Sequence, residues 1–206
     1  MMVVVLCLGG SALAGMVTLE PTMTRTLHTG EPDTVNAWGD FVVRETGEDI
    51  HSAATYDLSG ITEEITGAYM RFYELDNSNN SVAVAQSGHL ISPVDITNIT
   101  PNKIFGASPE FTWTALDSLG SYTGDDSTAV DTWYNSEAAS SGDVAAIEAL
   151  RGGSVSILIF AESGKRWWGG TDASCPPQLV LTTVPEPATL SLLVAGGALA
   201  LIRRRR

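Results

Sequence analysis

The residues whose types and spacing could support chemistry lie at the C-terminus of this 206-residue chain. Pro185, Glu186 and Pro187 precede an uncharged stretch from Ala188 to Ile202. Four arginines end the chain: Arg203, Arg204, Arg205 and Arg206. Proline lacks an amide donor and has a restricted φ, so the tripeptide interrupts any helix or strand and stays extended. In that form another protein can recognise it.

The uncharged stretch predicts a single C-terminal membrane helix. It would span about 22 Å at ~1.5 Å per residue, against the ~30 Å of a hydrocarbon core. Arginine side chains at its end can reach the lipid interface, and such a cluster favours the cytoplasmic side. The body of the protein would then lie outside. An ordinary C-terminal anchor is the alternative interpretation.

The order of tripeptide, apolar segment and arginine cluster resembles the PEP-CTERM sorting signal of Gram-negative bacteria. The resemblance covers residues 184–206, about a tenth of the chain. In that family a membrane protease-transpeptidase, exosortase, removes the tail near the tripeptide and passes the protein to the cell surface or an exopolysaccharide matrix. The resemblance therefore implies an exported envelope protein, held transiently in the inner membrane, with exosortase as its partner.

The other end of the chain predicts a signal peptide, residues 1–14. Met1 to Leu8 is almost wholly apolar, two glycines follow, and Ala12-Leu13-Ala14 has the small-x-small pattern that signal peptidase reads. Cleavage after Ala14 makes Gly15 the mature N-terminus. No lysine or arginine precedes the apolar run, so we expect the true start codon to lie upstream. The alternative is a buried N-terminal strand.

The composition is acidic, with 24 aspartates and glutamates against 11 lysines and arginines and a formal net charge of -13. Four of the cations are the terminal arginines, and the others are scattered. A nucleic-acid partner needs a basic surface, so this class of partner is excluded. Cys7 lies in the predicted signal peptide, which leaves Cys175 alone and excludes an intramolecular disulfide in the mature chain.

Between the two ends the pattern is all-β, with an N-terminal segment at 15–33 and one antiparallel β-sandwich at 34–183. Alternating segments rich in β-branched and aromatic residues predict eight strands: Trp38–Arg44, Ser52–Leu58, Ala68–Leu75, Ser81–Gln86, Glu110–Ala115, Val130–Tyr134, Ser154–Glu162 and Gln178–Thr183. The nearly continuous apolar run in Ser154–Phe160 predicts a central strand covered on both faces. One short helix is predicted from Val144 to Arg151, capped by Asp143.

The body also resembles the DNRLRE-type β-sandwich domains. The matching stretches are Tyr56-Asp57-Leu58-Ser59-Gly60-Ile61, Ile65 to Tyr73, Phe111-Thr112-Trp113, and Ala173 to Thr183. The resemblance implies a jelly-roll-like sandwich from an extracellular or surface protein. Most such domains are non-catalytic, and some related domains bind polysaccharides.

The sequence predicts no catalytic residues and no cofactor. It contains no G-x-S-x-G nucleophile elbow, and the histidines at 28, 51 and 89 have no metal-ligand spacing. Glu63-Glu64 and Asp125-Asp126 are interpreted as solvated loop charges, since a chance pair among 24 acids can always mimic a glycosidase pair. Oxygen-rich turns at Asp76–Asn80 and Gly124–Asp126 are candidates for structural calcium, with ordinary Asx turns as the alternative.

Two adjacent tryptophans, Trp167 and Trp168, are the candidate ligand-binding residues because flat sugar faces stack on exposed indoles. Neighbouring strand residues point to opposite faces, so at most one of the two is expected to be buried. The alternative is that one ring plugs the sandwich end while the other covers a strand edge. The other three tryptophans are expected in the core: Trp38, Trp113 and Trp133.

The sequence therefore favours an exported, non-enzymatic surface or matrix protein with signal peptidase and exosortase as processing partners. A carbohydrate-binding module that tethers the cell or matrix to polysaccharide is the second hypothesis. A polysaccharide-cleaving enzyme is the third. An exposed aromatic platform would favour the second hypothesis, and a cleft with paired carboxylates would favour the third.

Overall fold

The computed structural model describes residues 14–35, 41–45, 49–75, 84–124, 132–169 and 175–185. This part of the chain forms strands and two short helices, as the all-β prediction required. The elements are β1 (Gly15–Leu19), β2 (Met23–His28), β3 (Phe41–Arg44), β4 (Ile50–Asp57), β5 (Glu64–Glu74), β6 (Val84–Ser92), α1 (Pro101–Phe105), β7 (Thr112–Ala115), β8 (Tyr122–Gly124), β9 (Thr132–Asn135), α2 (Ser141–Glu148), β10 (Ser154–Ser163), β11 (Lys165–Trp168) and β12 (Gln178–Val184).

The strands form one folded-over antiparallel sheet in the order β1-β12-β5-β11-β3-β4-β10-β6-β7, with β2 on β4, β8 on β6 and β9 on β5. Among the described residues, two short ladders connect its halves: β11 pairs with β5 at Trp168↔Glu74, and β3 pairs with β4 at Arg44↔Ile50. The first layer contains β1, β12, β5 and β9. The second layer contains β2, β4, β10, β6, β7 and β8. Together they form the sandwich.

The main core lies between the two layers. Met70 and Phe72 of β5 and Leu181 of β12 face Ile157 and Ile159 of β10 across it. Each of these five residues is 0 % exposed in the folded chain. Alternate residues of each strand point inward, as a two-layer sheet requires.

A second, smaller core lies on the opposite face of the second layer. Residues 93–111, which include α1, cover this outer face, and Leu27 of the edge strand β2 contributes to the same core. Its buried members are Leu27, Ala53, Ile91, Ile96, Ile99, Ile104, Phe111 and Leu158. β10 is therefore buried on both faces, which confirms the prediction from its continuous apolar run.

All eight predicted strands are present within the described residues, but the sandwich begins before the predicted residue 34. β1 pairs with β12 from Gly15↔Thr183 to Leu19↔Leu179, and β2 pairs with β4. Residues 15–33 are thus part of the sheet rather than a separate segment. β2 has the sequence Met-Thr-Arg-Thr-Leu-His, and threonines in place of large apolar residues weaken the alternating pattern.

The predicted helix cap is corrected by the structure. The N-cap is Ser140 and the helix begins at Ser141, three residues before the predicted start. Asp143 occupies the third helical position, where it completes a capping box: Ser140 Oγ accepts from the Asp143 N–H at 3.1 Å, and Asp143 Oδ2 accepts from the Ser140 N–H at 3.2 Å. A capping box contains two side chains that can cap, and the sequence prediction assigned the role to the wrong one.

Asp143 also fixes the loop that precedes β8. Its carboxylate accepts from the backbone N–H groups of Asp117 at 2.8 Å, and of Ser118 and Leu119 at 3.0 Å each. Burial alone would raise the pKa of Asp143, but the backbone donors Leu119, Asp117, Ser118 and Ser140 together lower it below the ordinary aspartate value. The ionised Asp143 side chain thus joins α2 to the loop that contains Asp117, Ser118 and Leu119.

We expect Asp143→Asn to lower the free energy of unfolding by about 1.5–3 kcal/mol, the usual worth of hydrogen bonds to a charged group. The stabilisation by ionised Asp143 is fully present above the pKa of an unfolded aspartate and is lost as the pH falls through the lowered folded-state pKa. Urea unfolding of both proteins between pH 7 and pH 3 measures this. The variant should show a flatter pH dependence.

Asp117→Asn is the matched control, because the Asp117 carboxylate is exposed and accepts from Ser140 Oγ at 2.9 Å. A change below about 0.5 kcal/mol is expected for this surface group. Equal losses in the two variants would contradict the role given to Asp143.

Candidate functional site

The candidate site is the point where the folded body meets the C-terminal tail. β12 runs between β1 and β5. Thr183 is paired on both sides, with Gly15 and Ile65, and Val184 is paired with Glu64 of β5. Thr183 is 3 % exposed, whereas Pro185 is exposed. The transition from sheet to exposed chain therefore takes place within two residues.

The identity of Pro185 explains why pairing stops there. Proline has no N–H to donate to a ladder, and its ring favours extended geometry in the residue before it, here Val184. β12 accordingly ends at Val184. This agrees with the prediction that the tripeptide interrupts regular structure. Glu186, Pro187, the apolar stretch and the four arginines lie outside the described residues.

The predicted signal-peptidase site lies beside the same sheet end. Ala14 is exposed, Gly15 begins β1, and Gly15 is the register partner of Thr183 in the antiparallel ladder. A side chain at position 15 would meet Thr183 closely, since a Cβ there would lie 3.3 Å from its Oγ1. The two predicted processing positions are thus neighbours in space although they lie at opposite ends of the chain.

The tail matches a known family model. Residues 183–206 match the PEP-CTERM protein-sorting motif. The motif indicates an exported, envelope-directed protein that an exosortase processes. Its first two residues, Thr183 and Val184, belong to β12, so the sorting motif starts inside the folded body. Among the curated proteins, none matches the chain.

Within the described ranges, no helix is long and apolar enough to cross a membrane. The predicted C-terminal membrane helix and residues 1–13 of the predicted signal peptide fall outside those ranges. The sorting motif is thus identified from its sequence, and the structure adds the position from which it leaves the body.

The structure places Trp168 in the main core, where its ring is 0 % exposed. Its Nε1–H donates to Gln86 Oε1 at 3.1 Å, and its ring packs against Phe72 and Tyr122 at centroid distances of 5.3 and 5.5 Å. This indole is therefore not available for stacking on a sugar. The side chain of Trp167 lies outside the described residues.

Two of the tryptophans expected in the core lie elsewhere. Trp113 is 42 % exposed on β7, and the prediction that it belongs to the core is wrong. Trp133 on β9 is half-buried, with the Arg71 guanidinium carbon 4.7 Å from its ring centroid. Periodicity shows that a residue belongs to a strand but does not show that the strand lies at a sheet edge. Trp38 is outside the described residues.

The histidines, scattered in sequence, are partly brought together. His51 on β4 and His89 on β6 lie on either side of Phe160, with ring centroids 4.0 and 5.7 Å from its own. No group of three or more potential metal ligands occurs among the described residues. The calcium candidates Asp76–Asn80 and Asp125-Asp126 lie outside them.

Trp168→Ala tests the assignment of this residue to the core. We expect it to lower the free energy of unfolding by about 3–5 kcal/mol, because it opens a large cavity and removes the partner of Gln86. Urea unfolding followed by circular dichroism measures the loss. Trp113→Ala, at an exposed ring, should cost about 1 kcal/mol. A larger loss for Trp113→Ala than for Trp168→Ala would refute the assignment.

Proposed function

We propose that this chain is a non-enzymatic protein of the cell surface or extracellular matrix, released from its membrane anchor when exosortase removes the C-terminal tail. The observation that supports this most is the position of the sorting motif, which begins at the last two residues of the sandwich. Everything before the tripeptide in the described structure is the folded body, so cleavage near Pro185 would release the sandwich whole.

Export has two steps in this proposal. Signal peptidase cuts after Ala14, and the apolar segment then holds the body at the inner membrane with Arg203–Arg206 on the cytoplasmic side. The pairing of Gly15 with Thr183 supports this arrangement at the membrane, because it brings both membrane-proximal ends to one end of the sheet. The acidic composition suits a protein that stays soluble outside the cell.

The buried polar side chains support a structural rather than a catalytic body. Asp143 binds loop amides, and His51 Nδ1 accepts from the Ala161 N–H at 3.1 Å. Ser52 Oγ binds both the N–H and the carbonyl of Val42. Ser136 Oγ accepts from the Met70 N–H at 2.9 Å. Each of these groups satisfies backbone atoms, which is how a fold uses polar residues that it must bury.

The resemblance of the body to DNRLRE-type sandwiches forms part of the proposal. The turn after β4 has the geometry that its Asp-Leu-Ser-Gly sequence requires, since Asp57 Oδ1 accepts from the Ser59 N–H at 2.8 Å. Tyr56 Oη donates to the Pro177 carbonyl at 3.2 Å, which joins the first and last resembling segments through the core. These contacts give the resembling residues a common structural role.

Replacement of both Pro185 and Pro187 by alanine should leave the precursor in the membrane fraction, because the tripeptide would lose its enforced extended form. Pulse-labelling in a host that contains an exosortase, with blotting of membrane and released fractions, measures this. Pro109→Ala, at an exposed loop position, is the control and should be released normally. Normal release of the double variant would falsify the proposed processing.

The overlap of the motif with β12 predicts a second effect on processing. An enzyme that binds residues on both sides of the tripeptide must first detach Thr183 from β1 and β5, and Val184 from β5. A Gly-Ser spacer between Val184 and Pro185 removes this need and should speed release by up to about tenfold, since 1.4 kcal/mol corresponds to a factor of ten.

The same spacer between Ser59 and Gly60, in an exposed turn, is the matched insertion. It should leave the release rate unchanged. If the spacer at Val184 slows release instead, the enzyme uses the folded strand end as part of its binding site.

A further inference from the structure

The outer face of the second layer carries a row of aromatic rings from four adjacent strands. His51 comes from β4, Phe160 from β10, His89 from β6 and Trp113 from β7. Phe105 of α1 contacts the row at its edge, 5.3 Å from His51 and 5.9 Å from Phe160. We call these five residues the ring row.

The rings support one another in fixed orientations. His51 stacks on Phe160 with centroids 4.0 Å apart and an interplanar angle of 14°. Trp113 is nearly parallel to Phe160, at 6.0 Å and 26°, and His89 meets Trp113 edge-on at 4.7 Å and 85°. His51 is held in place because its Nδ1 accepts from the Ala161 N–H. A ring fixed in this way loses little conformational entropy when it binds a ligand.

The row is buried at one side and open at the other. His51 and His89 are buried, Phe160 is half-buried, and Trp113 is exposed. The exposed large apolar residues of the described chain are Met16, Val35 and Trp113, so Trp113 is the aromatic one among them. An indole fixed on neighbouring rings but open to solvent has the form of a binding surface.

Two polar residues lie beside Phe160 and His89. Ser87 is the register partner of Phe160 in the β10–β6 ladder, and it lies on the same strand face as His89. Glu162 is exposed, and its carboxylate lies close enough to His89 to act on that ring electrostatically. A flat apolar surface with a hydroxyl and a carboxylate beside it suits a sugar, which presents a C–H face and hydroxyl groups, better than a wholly apolar ligand.

The charge of the site favours neutral polysaccharides over acidic ones. Burial lowers the pKa of His51 to about 4. Burial also lowers the pKa of His89, and the nearby Glu162 carboxylate offsets only part of that shift. Both rings are therefore neutral near pH 7, and the nearby charge is negative. An acidic polysaccharide would meet like charge here, both at Glu162 and on a chain of net charge -13.

We propose that Trp113, held in place by Phe160 and His89, binds a sugar ring of a neutral polysaccharide on the outer face of the second layer. This site differs from the one predicted at Trp167 and Trp168, and it gives the carbohydrate-binding hypothesis a location. The inference adds an activity to the proposed function and does not rest on the tail, because all the residues it uses belong to the sandwich.

The test uses the full chain, purified in a detergent without a sugar headgroup. Affinity electrophoresis and tryptophan fluorescence measure binding to laminarin, dextran and galactomannan as neutral probes, and to alginate as the acidic one. We expect saturable binding to at least one neutral probe and none to alginate. Trp113→Ala should weaken binding tenfold or more, Trp113→Phe should retain part of it, and Met16→Ala, an exposed control, should not change it.

Three outcomes would overturn the inference: no binding to any neutral probe, equal binding by Trp113→Ala, or binding to alginate alone. Gel filtration of the wild type and of Trp113→Ala identifies the competing occupant, because a dimer lost in the variant would show that a second copy covers the ring row. Release of Trp113→Ala by exosortase at the normal rate is expected. It separates a failure of this inference from a failure of the proposed sorting.

Discussion

β10 is buried on both faces, and this double burial determines how the other elements are arranged. Val155, Ile157 and Ile159 point into the main core, while Leu158 points into the smaller one. A strand that is apolar on both faces must be covered on both. The first layer covers one face. The long connection at 93–111 covers the other with Ile96, Ile99, Ile104 and Phe111, helped by Leu27 of β2.

The cover over the outer face is mostly aliphatic, with Phe111 as its buried aromatic member, and the ring row begins beside it. Phe105, at the C-terminal end of α1, is the residue of this connection that touches the rings. Beyond it the surface of β10 and β6 has to be occupied by their own side chains, Phe160 and His89, with His51 and Trp113 from the flanking strands. Large rings can shield a sheet face by packing on one another, which aliphatic side chains do less well. The last ring of the row, Trp113, has a neighbour on one side and solvent on the other.

A side chain supplies hydrogen bonds between two neighbouring strands that share few ladder pairs. β3 and β4 share one register pair, Arg44↔Ile50, and Ser52 Oγ adds two bonds to the backbone of Val42, of 3.0 and 2.7 Å. These bonds hold β3 against β4 where the ladder does not. Because Ser52 is fully buried, losing its hydroxyl would leave two backbone groups of Val42 without that partner.

Local patterns in the sequence were enough for the strands with strong alternation and for the tail, whose proline, apolar and arginine segments are contiguous. They were not enough for β1, β2, β8 and β11, which are short or rich in threonine, nor for α1, a single turn capped by Thr100. The exposure of Trp113 and the burial of Trp168 could not be predicted for a different reason. Both lie in strands, and only the order of strands in the sheet decides that β7 is an edge while Trp168 points into the core. Strand order is a property of long-range pairing, which single-sequence periodicity does not contain.

The two candidate sites lie on different layers, and this separation allows both to work in one molecule. The sorting motif leaves the body from β12 in the first layer, whereas the ring row lies on the outer face of the second layer, across the main core from β12. A body held at the membrane through β12 therefore keeps its ring row away from the strand that carries the anchor. Ligand binding would not require release, and release would not alter the rings, since the main core separates them from β12. In these two proposals, the tail directs the sandwich to the cell envelope, and the ring row binds a ligand there.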